Sequence, residues 1–438
     1  MVEAAIAPLQ NTTNEHKLQE KLPSLSQQQP NALSTMSTIT LPHQTDVVIV
    51  GAGPVGLVAA CFLRKSGINV VVIDASPEAA TTSRAAIIHL RTLEVLEKLD
   101  LAQPIIESGL PIKKLSLKEK DSLISLLDFT HLHDRFKHAV ALPQTGTEKL
   151  LTEKLNELGG NIYRGVAMTD LIKNDEMGVE LNAKDLKTGE IQHISAKYLI
   201  AADGMHSRVR DTIGVSFEGS QYNVDFLTAD VHLDSTVWPY KAPRDEVVTF
   251  LDPAGFLLMI PYANEENNLW RVLATVEAAP KNPDIQLLDY LVRSRGPSIP
   301  KKPVVTDIIW ASHFHVHHRL AGQYRRNRVF LSGDAAHVHS PAGGQGMNIG
   351  IQDAAYLADV IADALLAGRN TDDDLNRYEK TRRPVAQGVV ALTHRLTTAV
   401  TMKNPLLCWL RNWAMWGVAN YVPGVRNYMA WQLSELEH

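Results

Sequence analysis

The sequence predicts an α/β chain in which a buried parallel sheet is interrupted by an antiparallel sheet and followed by helices. Residues 47–50 are a short, wholly apolar, β-branched run of the kind buried on both faces of a parallel sheet, and a glycine-rich turn and an Ala/Leu-rich stretch of helical length follow them. Between residues 226 and 278 the pattern changes to apolar–polar alternation, the mark of half-buried antiparallel strands. From Pro384 onward the text is helical, with Trp409, Trp413 and Trp416 at helical spacing.

The 438 residues carry a formal net charge of −5 and are 45% hydrophobic, enough chain for two or three domains with sizeable cores. With only Cys61 and Cys408, a disulfide scaffold is excluded, and a reducing, cytoplasmic setting is expected. The mildly acidic balance lacks a basic footprint, so no nucleic-acid partner is expected. Residues 1–44 are rich in Gln, Ser, Thr and Asn, include Pro23, Pro30 and Pro42, and read as a disordered leader. That leader has no arginine and carries Glu3, Glu15 and Glu20, so it suits neither a secretory signal nor a transit peptide. A start at Met36 would leave the folded part whole.

The glycine turn reads GAGPVG. Gly51 permits the tight turn, Gly53 lets backbone approach a pyrophosphate, and Gly56 allows close helix-to-strand packing. The helix beyond it offers free N–H groups and positive potential at its start. A second apolar run, 70–73, closes with Asp74, placed to accept hydrogen bonds from an adenosine ribose. Strand, turn, helix, strand and acid in register make a Rossmann-type dinucleotide unit, and leave open whether the dinucleotide is NAD or FAD. Residues 47–63 are uncharged throughout, but Pro54 and three glycines argue against a membrane span.

Two further elements narrow the choice. KYLIAADGMHSRVRDTIG (197–214) is a buried strand ending in Asp203-Gly204, then a polar turn with Ser207 and Arg208. The segment 327–368 runs from a strand into Gly333-Asp334, then a Pro/Gly-rich loop, then a long apolar-periodic helix. Gly343, Gly344 and Gly346 beside that helix start bring backbone close to a flat or anionic ligand. With GAGPVG, AADGMHSRVR and SGDAAHVHSPAGGQGMNIGIQDA in this order over residues 46–385, the chain resembles the group A flavoprotein monooxygenases, the family of p-hydroxybenzoate hydroxylase and phenol hydroxylase.

The resemblance implies bound FAD, NAD(P)H and O2 as co-substrates, and hydroxylation of an aromatic or enolic small molecule through a C4a-hydroperoxyflavin. It implies that Asp74 holds the adenosine ribose and Asp334 a ribityl or ribose hydroxyl. It sets Arg84 beside the FAD phosphates, Gln144 against FAD at the head of a helix, and Asp203 and Gly204 near the pyrophosphate groove. Gly343, Gly344, Gly346, Met347 and Asn348 would pass along the pyrimidine edge of the isoalloxazine, where a helix N-terminus stabilises the anion of a reduced flavin. Pro341 would shape the oxygen pocket, and no catalytic base can be named. A flavin carries the chemistry itself, so no triad or carboxylate pair is required. Three other functions share this FAD fold. A flavin-dependent halogenase lacks support, because its WxWxIP element is absent; a flavoprotein reductase or dehydrogenase without oxygen insertion and a non-catalytic FAD-binding redox sensor remain as alternatives.

The alternating region supplies the substrate domain. Residues 226–234, 245–262 with a hairpin turn at 252–255, and 267–278 are its strands, joined by a shorter pair around 115–129. The expected division is leader 1–44, FAD-binding domain 45–110, 143–215 and 325–385, substrate domain 111–142 and 216–324, and C-terminal helical segment 386–438. Phe226, Phe250, Met259 and Trp270 are candidate substrate contacts, although ordinary core packing is the preferred reading for each. His313, His315 and His317 share a strand face, but an exposed sheet end explains them better than a metal, and none is expected. His89 is read as a structural histidine. The Trp stripe is expected to pack on the FAD domain, with peripheral membrane contact as the weaker reading. The chain stops at His438, so the C-terminal thioredoxin-like domain of phenol hydroxylases is expected to be missing.

Overall fold

The short apolar runs flanking the glycine motifs pair side by side. Strands Ile162–Arg164, Val70–Asp74, Gln44–Val50, Ile191–Ala201 and Val329–Leu331 lie in that order and all run parallel. Numbered along the chain this is the order 3-2-1-4-5 of a Rossmann-type sheet. The computed structural model describes residues 39–81, 85–132, 135–240, 244–264, 266, 268–280 and 282–436, which belong to one unit. Helix Pro54–Lys65 has Pro54 in its first turn and Arg64 and Lys65 in its last, both favourable to its backbone dipole. It buries Leu57, Val58, Ala59, Ala60, Cys61 and Leu63, and packs against helix Gly346–Leu366.

The second sheet runs in the order His337–Val338, Val305–Ala321, Phe217–Leu233, Leu269–Val276, Gly255–Pro261, Glu246–Asp252, Lys114–Glu119, Ser122–Asp128. Its hairpin turns at 252–255 as the sequence predicts, with Gly255 at φ +123° and Asp252 accepting the Ala254 amide at 2.8 Å. Two features were not expected. Strands Lys114–Glu119 and Glu246–Asp252 pair parallel, not antiparallel. Strand His337–Val338, from the loop before the long helix, joins this sheet and so ties the nucleotide half to it.

Two boundaries move. Leu41 is buried, and the amides of Ile39 and Leu41 donate to Asp185 (3.2 Å) and Gln192 (2.8 Å), so residues 39–44 belong to the fold. The remainder of the expected leader lies outside the described residues. At the other end, helix Asp372–Val400 opens with a Thr371–Asp374 capping box and runs through Pro384, straddling the expected division at 385.

The C-terminal helices correct a prediction. Helix Pro405–Tyr421 packs on strand Ser122–Asp128 of the second sheet, not on the parallel one. It turns Cys408, Asn412 and Ala419 inward, Asn412 donating to Glu119 at 2.9 Å, while Trp409, Trp413 and Trp416 stay 58%, 62% and 40% exposed. The face that meets the sheet carries the Asn412–Glu119 bond, small side chains and the half-buried Met415, while the tryptophans lie elsewhere. No helix among the described residues is long and apolar enough to cross a membrane.

Candidate functional site

Each of the three motifs follows a strand of the parallel sheet, and these strands are neighbours. Gly51 sits at φ +108°, where an added Cβ would lie 2.2 Å from the carbonyl oxygen of Ala202, just past the adjacent strand. A Cβ on Gly56 would lie 2.0 Å from the Gly51 oxygen. Both glycines are demanded by backbone packing. Gly53 is different: its Cβ would meet nothing within 4 Å, and it opens the first turn of a helix that has no side-chain cap and no acid there. That is a cradle with unpaired N–H groups and room for an anion.

The third motif closes on the first two. Gly333, at φ +59°, and Gly350 both lie over Val55, each with 2.7 Å from an added Cβ to the valine. The Ser332 amide donates to Ala201 at 2.9 Å. Buried Arg210 donates to the carbonyls of Ala335 (3.2 Å) and Met205 (3.0 Å), bolting the second motif to the third. One carboxylate oxygen of Asp203 accepts the Val209 amide at 3.2 Å; the other is buried without a partner among the described residues, and burial raises the pKa of this acid.

The remaining predicted cofactor residues fall around this edge. Asp74 accepts the Ala52 amide at 2.6 Å and the Ser76 amide at 2.7 Å, so it braces the glycine loop and keeps lone pairs for a ribose. Asp334 is exposed on the short turn Gly333–Ala335. Gln144 heads helix Gln144–Glu157 and donates to Glu148 at 2.8 Å. Arg84 lies outside the described residues; its neighbour Ala85 is held by the Gln144 amide at 3.2 Å and by Arg271 at 3.0 Å.

The glycine loop is held from beneath. Gly343 and Gly344 have φ of +91° and +66°, and the Gly344 amide turns back onto the Pro341 carbonyl at 2.9 Å. Asn348 is wholly buried: its amide donates to Ile87 and Gly344, both at 2.8 Å, and its oxygen accepts from the His89 backbone at 2.9 Å. The Asn348 side chain is thus committed to locking the loop, while Met347 packs partly buried against the core. His89 Nε2 meets the Gly343 carbonyl at 2.8 Å, and burial lowers its pKa to about 4, so it is a neutral donor to the loop. His339 is held down to about 4 by burial as well. Helix Gly346–Leu366 has no side-chain cap, so its first amides face the loop unpaired. The open Gly53 cradle, the partnerless Asp203 oxygen and this uncapped helix start fit FAD.

Above the loop stands one face of the second sheet. Asp230 and Arg271 form a buried bidentate pair (2.7 and 2.8 Å), and the Trp310 indole donates to the same carboxylate at 2.6 Å. Tyr262 is 1% exposed, its ring 5.2 Å from the Arg271 guanidinium, and its hydroxyl has no partner among the described residues. Burial raises its pKa, so the phenol stays protonated. Ile260 and Tyr262 share a core cluster with Ile87 and Leu90, which places this face against the loop side of the nucleotide half.

Three of the four predicted substrate contacts lie on the opposite face. Phe250, Met259 and Trp270 pack with Trp238, Leu288 and Val292 in the core between the sheet and helix Ile285–Arg295. Alternation identified the strands correctly, but which parity faced the loop is set by pairing across the sheet. Phe226 does lie on the face of Asp230, packed against Phe256 and Phe314. Sequence reasoning missed Arg210, Asp230, Tyr262 and Arg271. The available signal was Arg271, the single charge in the mostly apolar strand Leu269–Val276, whereas Asp230 shares its strand with Glu218 and Asp225 and carries no such mark. His315 pairs with Asp225 at 2.7 Å, and no group of three possible metal ligands occurs among the described residues.

A family model described as an FAD binding domain matches residues 44–393. The chain belongs to the group A flavoprotein monooxygenases. This flavoprotein is 33% identical over 374 residues to 6-methylpretetramide 4-monooxygenase of Streptomyces rimosus, covering 83% of this chain and 64% of that one. It is 32% identical over 353 residues to pentachlorophenol 4-monooxygenase of Sphingobium chlorophenolicum, covering 80% and 64%. It therefore spans just under two thirds of the length of either relative. Among solved structures it is similar to the anhydrotetracycline hydroxylase from Streptomyces rimosus, with a TM-score of 0.73 and 29% identity over 90% of this chain and 76% of that one.

Proposed function

We propose that this flavoprotein is an NAD(P)H-consuming monooxygenase that hydroxylates an aromatic or enolic small molecule. The observation that carries the reading is the juxtaposition of an uncapped, glycine-lined helix start with a sheet face whose buried charges are paired with each other and whose Tyr262 hydroxyl has no partner among the described residues. FAD, when bound, supplies reduction by NAD(P)H and the activation of O2. The net change puts one oxygen atom into a substrate C–H bond and the other into water, with two electrons from NAD(P)H.

The chain's own residues bind, orient and keep dry. Gly51, Gly53 and Gly56 shape the pyrophosphate cradle, and Asp74, Gln144, Asp203, Gly204 and Asp334 surround it. Gly343, Gly344, Gly346 and Met347 line the loop that Asn348 and His89 hold in place, with Pro341 at its turn. The first amides of helix Gly346–Leu366 favour negative charge at the loop, as a reduced ring system requires. Phe226, Ile260 and Tyr262 exclude water, and the Tyr262 hydroxyl offers one hydrogen bond to a substrate oxygen. The two relatives are named for 6-methylpretetramide and pentachlorophenol, which supports an aromatic substrate. Cys61 and Cys408 are free and buried, consistent with a cytoplasmic setting.

The test is a screen of aromatic compounds for acceleration of NAD(P)H oxidation, followed by turnover under labelled O2. One labelled oxygen per product is expected. Substrate-stimulated oxidation with no label in product would make the protein a reductase, and FAD binding without any stimulation would make it a sensor.

A further inference from the structure

The C-terminal helix Pro405–Tyr421 is amphipathic the wrong way round for a protein core. Leu406, Trp409, Leu410, Trp413 and Trp416 follow i, i+3, i+4, i+7, i+10 spacing and form one outward ridge, from 63% exposed at Leu406 to 40% at Trp416. Tyr421, Val422 and Tyr428 extend it, all exposed. Single exposed apolar residues are ordinary, but a contiguous ridge along a helix of roughly 25 Å marks a contact surface. The charge of the segment identifies what it meets. Between Glu379 and Glu435 there is no acidic residue, while Arg395, Lys403, Arg411 and Arg426 are all basic, in a chain whose net charge is −5. Arg395 and Arg426 are exposed, Arg426 donating to the Ala419 carbonyl at 2.7 Å; Lys403 is paired with Glu277, and Arg411 donates to Ala399.

We infer that this ridge seats the protein on an anionic phospholipid surface, the helix lying in the plane of the interface. Tryptophan and tyrosine rings prefer the headgroup level, and basic residues beside them add attraction to anionic lipid, which is concentrated on the cytoplasmic leaflet. The helix sits on strand Ser122–Asp128, and the following helix Val425–Leu433 contacts the same strand. Met429, Trp431 and Leu433 of this second helix join the core cluster that contains Tyr262. The membrane-facing element therefore adjoins the proposed substrate face, a placement suited to lipophilic substrates drawn from the bilayer.

The full-length, FAD-loaded protein is sedimented with vesicles of phosphatidylcholine alone and of phosphatidylcholine with about 30% phosphatidylglycerol. It is expected to pellet with the anionic vesicles, with a blue shift of tryptophan emission, and more weakly with the neutral ones. A variant carrying Trp409→Ser, Trp413→Ser and Trp416→Ser should lose about tenfold or more in vesicle affinity while keeping its FAD. Failure to pellet with either vesicle, or equal pelleting of the variant, overturns the inference. So does a concentration-dependent dimer in sedimentation velocity that the triple variant dissolves without any vesicle binding, which assigns the ridge to a second copy. FAD content and NAD(P)H oxidation on the same samples report separately on the proposed activity.

Discussion

The nucleotide edge and the substrate face are built from different materials. At the edge the limits are set by main chain against main chain: Gly51 against Ala202 and Gly56 against Gly51, with no space for a single carbon. At the face, Asp230, Arg271 and Trp310 hold one another through side chains on three strands. The first arrangement admits one residue type at each position. The second fixes a network and leaves the residues around it free to change with the substrate. A backbone-limited site thus keeps its cofactor across a family, while a side-chain-limited site can be remodelled without disturbing the fold.

The largest expected effect separates two glycines that the motif GAGPVG would treat alike. Gly56→Val drives a side chain into the Gly51 carbonyl and should cost more than about 4 kcal/mol, enough to prevent folding. At Gly53 an added Cβ meets nothing within 4 Å and φ is an ordinary −76°, so Gly53→Val is unstrained where Gly56→Val is not. It should keep the melting temperature of the FAD-free protein within about 3 °C of the parent while FAD affinity falls at least about a hundredfold. Differential scanning calorimetry with flavin titration checks both. A Gly53 variant that binds FAD normally would remove the cradle from the site.

Next in size is the buried ion pair. Asp230→Ala leaves the Arg271 guanidinium in an apolar setting with the Ala85 carbonyl among its contacts, and should destabilise the protein by about 3–5 kcal/mol. Urea unfolding measures this. A loss below about 1 kcal/mol would mean that the carboxylate is dispensable and the face less ordered than its hydrogen bonds imply.

The same contrast explains what could be read from the letters. Gly51, Gly56 and the three strand-turn elements were legible because a glycine demanded by backbone proximity leaves its mark at a fixed place, directly after an apolar run. Their convergence was legible only through resemblance, since the order of strands in a sheet is not written in any one of them. Phe250 and Met259 lie in the core, the reading preferred for them, because alternation shows that a strand face is buried and not whether it is buried against ligand. The Trp409 stripe misled for the opposite reason: helical spacing shows that one face is apolar, not that it points inward. Tyr262 was passed over at a strand end, where only its orphaned hydroxyl in three dimensions marks it. That hydroxyl gives a sharper test of the substrate face. Tyr262→Phe removes a buried group without a partner among the described residues, so stability should change by less than about 1 kcal/mol. If the hydroxyl meets substrate, kcat/KM should fall about tenfold with FAD affinity unchanged, and unaltered steady-state kinetics would leave the phenol a mere filler.

The smallest expected effect lies where the two regions meet, at the histidine beneath the glycine loop. Burial lowers the His89 pKa from 6.5 to about 4, against the opposing pull of the Gly343 carbonyl. The unfolded chain therefore takes up a proton below 6.5 that the folded chain refuses until about 4, and stability falls as pH drops through that window. At about pH 5.5 the loss from this residue is about 1 kcal/mol. His339, shifted in the same direction, adds a comparable amount. His89→Gln retains an N–H for the Gly343 carbonyl and does not titrate, so its urea midpoint should drop less than the parent's between about pH 7.5 and about pH 5.5, with the His339 share remaining. Parallel declines in the two proteins would show that the loop is open enough for His89 to protonate in place, and would shift the anchoring of the cofactor loop onto Asn348 alone.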